Sequence, residues 1–172
     1  LRAKEGKVKI SMRAQRKGEF EEWPLNHLFI IGGILLLLFL EGVFIVAGHG
    51  AWRVAVLIAL WIASFPVIHF SMCRKCNYYG KRCPIPGEGN LVHILFKKKE
   101  GPTGFLGWMG VVLCYVMRLG YPVIFLDKSS IWIGTIYATT FLIYMVILGR
   151  VLGCPNCVKV ECPMNPDWGM TQ

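Results

Sequence analysis

Polar and apolar positions along the 172-residue chain fall into long blocks instead of alternating. A helix rising about 1.5 Å per residue needs about 20 apolar residues to cross a hydrocarbon core of about 30 Å. Four blocks meet that length: residues 28–48, broken only by Glu41; 51–72; 105–126, which holds Arg118 and Pro122; and 131–152. The first two blocks are joined by a turn too short for anything but an antiparallel hairpin, and Pro66 is expected to bend the second helix near its far end. Asp127-Lys128-Ser129-Ser130 separates the last two. The pattern predicts an all-α integral membrane fold of four transmembrane helices arranged as two antiparallel hairpins. The first block is followed by Gly-His-Gly, not by a small-residue cleavage pattern, so it is expected to remain a span. The chain then divides into an N-terminal arm (1–27), a first hairpin (28–72), a cysteine-rich loop (73–104), a second hairpin (105–152) and a cysteine-rich tail (153–172).

Apolar residues make up 55% of the chain and the mean hydropathy is +0.50, which points to lipid as the main solvent. The net charge of +9 does not imply nucleic acid, because the basic residues flank the apolar blocks, where they set orientation and meet anionic head groups. Sixteen Lys and Arg lie in the arm, the middle loop and the flanks of the last cysteines, against two, Arg53 and Lys128, on the opposite side. That bias predicts a multi-pass protein of the cell membrane with both termini and the middle loop cytoplasmic. Trp23, Trp52, Trp108 and Trp132 fall at predicted helix ends, as aromatic belts do, and Trp61 falls mid-helix, where packing is expected. The first 22 residues carry no clean helical stripe and read as a solvated tail or an arm for a membrane surface or partner. Lys97-Lys98-Lys99 is read as a grip on head groups.

The cysteines carry the chemistry. Each half of the chain is a hairpin followed by a triplet ending in Cys-Pro: Cys73-x2-Cys76-x6-Cys83-Pro84, then Cys154-x2-Cys157-x4-Cys162-Pro163. The correspondence suggests an internal repeat with both triplets at one membrane face. On a reducing cytoplasmic side a disulfide framework is the weaker explanation and a metal site the stronger, since Cys-x2-Cys turns let two thiolates converge on one ion. Arg74, Lys75, Lys81, Arg82 and Lys159 stand near enough in sequence to offset thiolate charge. The spacing resembles the binuclear six-cysteine zinc cluster of fungal transcription factors, a likeness that covers the triplets alone. It implies two zinc ions held by six thiolates. The residues leave two other arrangements open: one zinc per triplet with His69 or His93 as a further ligand of the first, or an iron–sulfur cluster on three or four of the thiolates. Zinc is favoured. Cys114, inside the third helix, reads as a small buried hydrophobe.

Glu41 and Arg118 each lie 13 residues into their helices, counted from Leu28 and Phe105, and are expected to pair within the bilayer. Haem held by His27 and His69 is disfavoured, because two histidines at one level with no supporting residues are a weak signal. Residues 80–89, with Pro84, Pro86, Gly87 and Gly89, read as a rigid turn and lack the Gly-Lys-Ser/Thr of a phosphate loop. No nucleophile–base–orienter set or paired carboxylates suggest a self-sufficient hydrolase or transferase. Two functions follow as expectations. The first is a structural or assembly subunit of a larger membrane complex, with a metal clamp on its cytoplasmic face and protein partners. The second is an iron–sulfur subunit of a membrane oxidoreductase that passes electrons from a soluble donor to a quinone near Glu41 and Arg118. A metal transporter is disfavoured because no ladder of thiols or imidazoles continues through the membrane.

Overall fold

A computed structural model describes residues 20, 22–85, 88–101, 103–126, 131–153 and 156. Among them every regular element is helical and no strand occurs. Helix α1 spans Leu25–Ala47 and α2 spans Ala51–Ser71. A single 3-10 turn, Cys73–Lys75, follows, and a short helix α3 covers Glu88–Leu95. Helix α4 covers Phe105–Gly120 and tightens into a 3-10 segment, Tyr121–Phe125. Helix α5 covers Ile131–Val146 and widens into a π turn, Ile147–Val151.

Four of these helical stretches, at 23, 25, 21 and 21 residues, are long and apolar enough to cross a membrane, within two or three residues of the blocks read from sequence. Their surfaces are those of a protein dissolved in lipid. Phe29, Phe44, Ile62, Leu106, Ile124 and Trp132 are each more than two-thirds exposed. In water such a continuous apolar surface would drive association; in a bilayer it is the ordinary exterior.

Gly50 sits at φ +114, a conformation costly for any residue with a Cβ, and lets the chain reverse between α1 and α2 within three residues. α2 continues through Pro66. Pro122 has the larger effect: it opens the 3-10 segment after α4 and seats its ring so close to Gly42 of α1 that a Cβ there would touch it at 3.0 Å. Because Pro122 offers no N–H, the Leu119 carbonyl takes its hydrogen bond from the Tyr137 hydroxyl of α5, at 2.8 Å.

The packing partners are not those of two self-contained hairpins. α1 and α2 lie together, but α4 packs chiefly along α2 and α5 along α1, so the second pair rests on the first more than on itself. The core between α1 and α5 is built from Ile31, Leu38, Ile45, Tyr137 and Tyr144. The residues before α1, the middle loop with Cys76 and Cys83, and Asn156 lie at one end of the bundle, since Phe20 bonds to Asn156 and Trp23 to Arg82 through backbone groups. The other end holds the Gly50 turn, where the Tyr121 hydroxyl donates to the Arg53 carbonyl.

Candidate metal centre

At the cysteine-bearing end the chain before α1 folds back over the middle loop. Phe20, Trp23 and Tyr78 stack edge to face, with centroids 5.3 Å apart for Phe20–Trp23 and 6.2 Å for Trp23–Tyr78. Cys76 and Cys83 pack against this aromatic cluster. Trp23 is fully buried there, so the belt position expected of it is replaced by a core position; the sequence shows the helix end but not the segment that covers it. Trp52 and Trp132, at the opposite end, are well exposed, as a belt requires.

Three bonds hold the cluster. The Tyr78 hydroxyl donates to the Phe20 carbonyl at 2.9 Å, the Trp23 N–H to the Arg82 carbonyl at 3.3 Å, and the Phe20 N–H to the Asn156 carbonyl at 3.4 Å. Asn156 stands between Cys154 and Cys157 in the chain. Cys154, Cys157 and Cys162 themselves, like the arm before Phe20 and Lys159, lie outside the described residues. The Cys83 Sγ donates to the Ile85 carbonyl at 3.0 Å, and burial pushes its thiol up to about 11.

Cys73 turns elsewhere. Its sulfur, a ring nitrogen of His69 and a carboxylate oxygen of Glu88 all lie within 4.8 Å of one another. His69 and Cys73 are four residues apart across the last turn of α2, and Glu88 opens α3. The His69 ring is fully buried. Its Nδ1 donates to the Phe65 carbonyl at 2.6 Å, while Nε2 has no hydrogen-bond partner among the described residues. Glu88 escapes a reading based on cysteine spacing. Its signal in the sequence is that it is the one acid between Arg74 and Lys99, a stretch with seven Lys and Arg.

His93 is not at this site. It lies exposed on α3, against Tyr79, at a centroid distance of 5.4 Å. The basic residues near the thiols have other neighbours: Arg82 pairs with Glu22 at 2.9 Å, and Arg74 lies over the Phe70 ring at 3.6 Å.

Glu41 and Arg118 do not pair. Glu41 Oε1 accepts from the Thr140 hydroxyl of α5 at 2.9 Å. Arg118 reaches Ser64 of α2 at 3.5 Å and stacks over Trp61 and Tyr115, at 4.7 and 4.1 Å from their centroids. Equal depth places two side chains at one level but leaves open which neighbour each helix faces; α1 faces α5, and α4 faces α2. Cys114 is partly buried on α4.

One groove adjoins the site. It runs between α1 and α2, has a volume of about 510 Å³ and is lined by Leu36, Phe39, Ile58, Trp61, Phe65 and Glu88. Burial raises the Glu88 carboxyl to about 7, and the nearby Arg118 guanidinium opposes that rise.

No family model, no curated protein and no solved structure matches the chain.

Proposed function

We propose that the chain is a small multi-pass membrane subunit that carries a cysteine-thiolate metal site, zinc favoured, on its cytoplasmic face, and that the metal fastens the chain ends together for assembly with protein partners. The observation that supports this most is the shared aromatic cluster. Cys76 and Cys83 pack on Phe20, Trp23 and Tyr78, and Phe20 is bonded to Asn156, the residue between the first two cysteines of the tail. Cys154 and Cys157 stand two and one residues from Asn156 in the sequence, which supports a zinc site shared by the two triplets. The repeated order of apolar pair and triplet agrees with such a site, and the basic bias of this end agrees with a cytoplasmic face. A bundle whose second pair of helices has few contacts of its own gains most from a clamp of this kind.

Elemental analysis with a visible spectrum on the detergent-purified chain tests the reading. Colourless protein whose zinc falls in both Cys83→Ser and Cys157→Ser is the expected result. A full zinc complement in either variant would defeat the shared site.

One observation favours a second reading, an iron–sulfur subunit that passes electrons to a membrane quinone. The groove between α1 and α2 is of ligand size, apolar along its walls and has the Glu88 carboxyl in its lining, which suits a ring with polar oxygens on an apolar tail. In this reading the quinone lies at Glu88 and Trp61, away from Glu41. Iron with sulfide and a spectrum bleached by dithionite would establish it over the zinc clamp.

A further inference from the structure

We propose that His69, Cys73 and Glu88 form a separate nitrogen–sulfur–oxygen site that binds one zinc-class divalent cation where α2 meets α3. The proposal does not depend on the thiolate clamp.

Three features carry it. The first is distance. Bonds of about 2.0–2.3 Å to a tetrahedral ion place ligand atoms about 3.3–3.8 Å apart, so atoms already within 4.8 Å of one another need only small rotations to close on an ion. The second is the imidazole. A carbonyl can only accept, so the bond to Phe65 fixes the proton on Nδ1 and leaves Nε2 as a bare lone pair in a fully buried ring. Leaving such an acceptor without a partner is unfavourable, and a backbone carbonyl on the far nitrogen is the arrangement that orients a metal-binding histidine. The third is charge. One thiolate, one carboxylate and one neutral imidazole around a divalent ion sum to zero, which suits a site covered by the bundle better than a group of four thiolates with a net charge of about −2.

The backbone holds the ligands in place. His69 stands in the last turn of α2, and Cys73 opens the 3-10 turn that follows it, four residues on. Gly89, beside Glu88, lies so near the Lys81 and Tyr78 carbonyls that no Cβ fits, and its own carbonyl accepts from Gly80. A mixed donor set of this kind suits zinc or cobalt and is poor for magnesium or calcium. Three protein ligands leave a fourth position for water or another small ligand.

The test uses the full chain in detergent, stripped with chelator and titrated with Co²⁺, whose absorption reports thiolate ligation and geometry. In a variant with serine at Cys76, Cys83, Cys154, Cys157 and Cys162, one Co²⁺ per chain with a single-thiolate charge-transfer band is expected. Glu88→Gln or Cys73→Ser in that background should weaken binding at least about tenfold. A five-serine variant that is folded by circular dichroism yet shows no such band would overturn the proposal. Should that variant not fold, Glu88→Gln and His69→Gln in the otherwise intact chain should each lose one equivalent of zinc and keep the rest; both retaining the full complement would overturn it equally. A chain that binds one cation, lost in Cys73→Ser and kept in Cys76→Ser, supports this site while removing the clamp.

Discussion

Replacing Thr140 by valine keeps the side-chain shape and deletes one hydroxyl, so its effect isolates the bond to Glu41. Thr140 is nearly buried, and Glu41 Oε1 accepts from it at 2.9 Å, while the other carboxylate oxygen has no partner among the described residues. A hydrogen bond to a charged group contributes about 1.5–3 kcal/mol in soluble proteins. Measured interhelical bonds in membranes average about 0.6 and reach about 1.7 kcal/mol, because the unfolded chain also finds partners in the bilayer. For a short bond to a carboxylate with no other hydrogen-bond partner among the described residues, the upper part of that range applies, and Thr140→Val should cost about 1–1.5 kcal/mol. The assay is unfolding in mixed dodecyl maltoside and SDS micelles, followed by tryptophan fluorescence. Two double-mutant cycles complete it: Glu41→Met with Thr140→Val, and Glu41→Met with Arg118→Met. Coupling in the first should exceed coupling in the second, since Arg118 is engaged by Ser64, Trp61 and Tyr115 on the α2–α4 side. The reverse order would refute the assignment of Glu41 to α5 and restore an ion pair across the bundle.

Other consequences can be checked on the same preparation. Gly89→Ala forces a methyl against two backbone carbonyls that cannot rotate away, so a loss of about 2–3 kcal/mol is expected in the same unfolding assay, and a loss below about 0.5 would contradict the close approach of α3 to the loop. In metal-free protein the Glu88 carboxyl, raised from 4.5 to about 7, favours the folded state in its protonated form. Its contribution is fully present below about 4.5, fades as pH rises through about 7 and amounts to at most about 3 kcal/mol; Glu88→Gln should flatten this window in a stability–pH profile, and an unchanged profile would count against it. The Cys83 thiol, pushed up to about 11 by burial, should react with iodoacetamide at pH 7.5 roughly a hundredfold more slowly in folded metal-free protein than in denaturant, as read by mass spectrometry. Equal rates would show that this sulfur is not covered.

The spans were readable because lipid imposes one demand, an unbroken apolar length, and the sequence states that length directly. The 3-10 tightening at Tyr121–Phe125 was foreshadowed by Pro122, whose missing N–H is a local fact. What the sequence withheld depends on rotation and on distant segments. Glu41 and Arg118 are matched in depth, but whether α1 turns Glu41 toward α4 or α5 is decided by packing, including the seat that Gly42 makes for Pro122. Trp23 stands at a helix end, where an interfacial belt is a fair expectation, and is buried because Phe20 and Tyr78 close over it. The spacing of the first triplet groups three sulfurs that the structure directs two ways, Cys76 and Cys83 toward the aromatic cluster and Cys73 toward His69. Spacing reports which sulfurs are near one another along the chain; it does not report the side to which each turns.

Arg118 is expected to weaken cation binding at the proposed His69–Cys73–Glu88 site. The guanidinium is buried within the bundle and lies within electrostatic reach of Glu88. Glu88 has no ion pair within contact distance among the described residues, and Arg118 is engaged by ring faces and Ser64, with its Nε left without a hydrogen-bond partner among the described residues. A cation arriving at Glu88 therefore meets a fixed positive charge that nothing in contact neutralises, in surroundings where such repulsion is weakly screened. Removing the arginine also lets burial raise the Glu88 carboxyl further above about 7, so the comparison is made as a pH series and read where Co²⁺ binding has stopped changing with pH. Arg118→Met should then bind Co²⁺ more tightly, at least about threefold, with a spectrum unchanged because no ligand has been touched. Weaker binding with an altered spectrum would mean that Arg118 positions Glu88 as a ligand, and the opposition between guanidinium and cation would have to be abandoned.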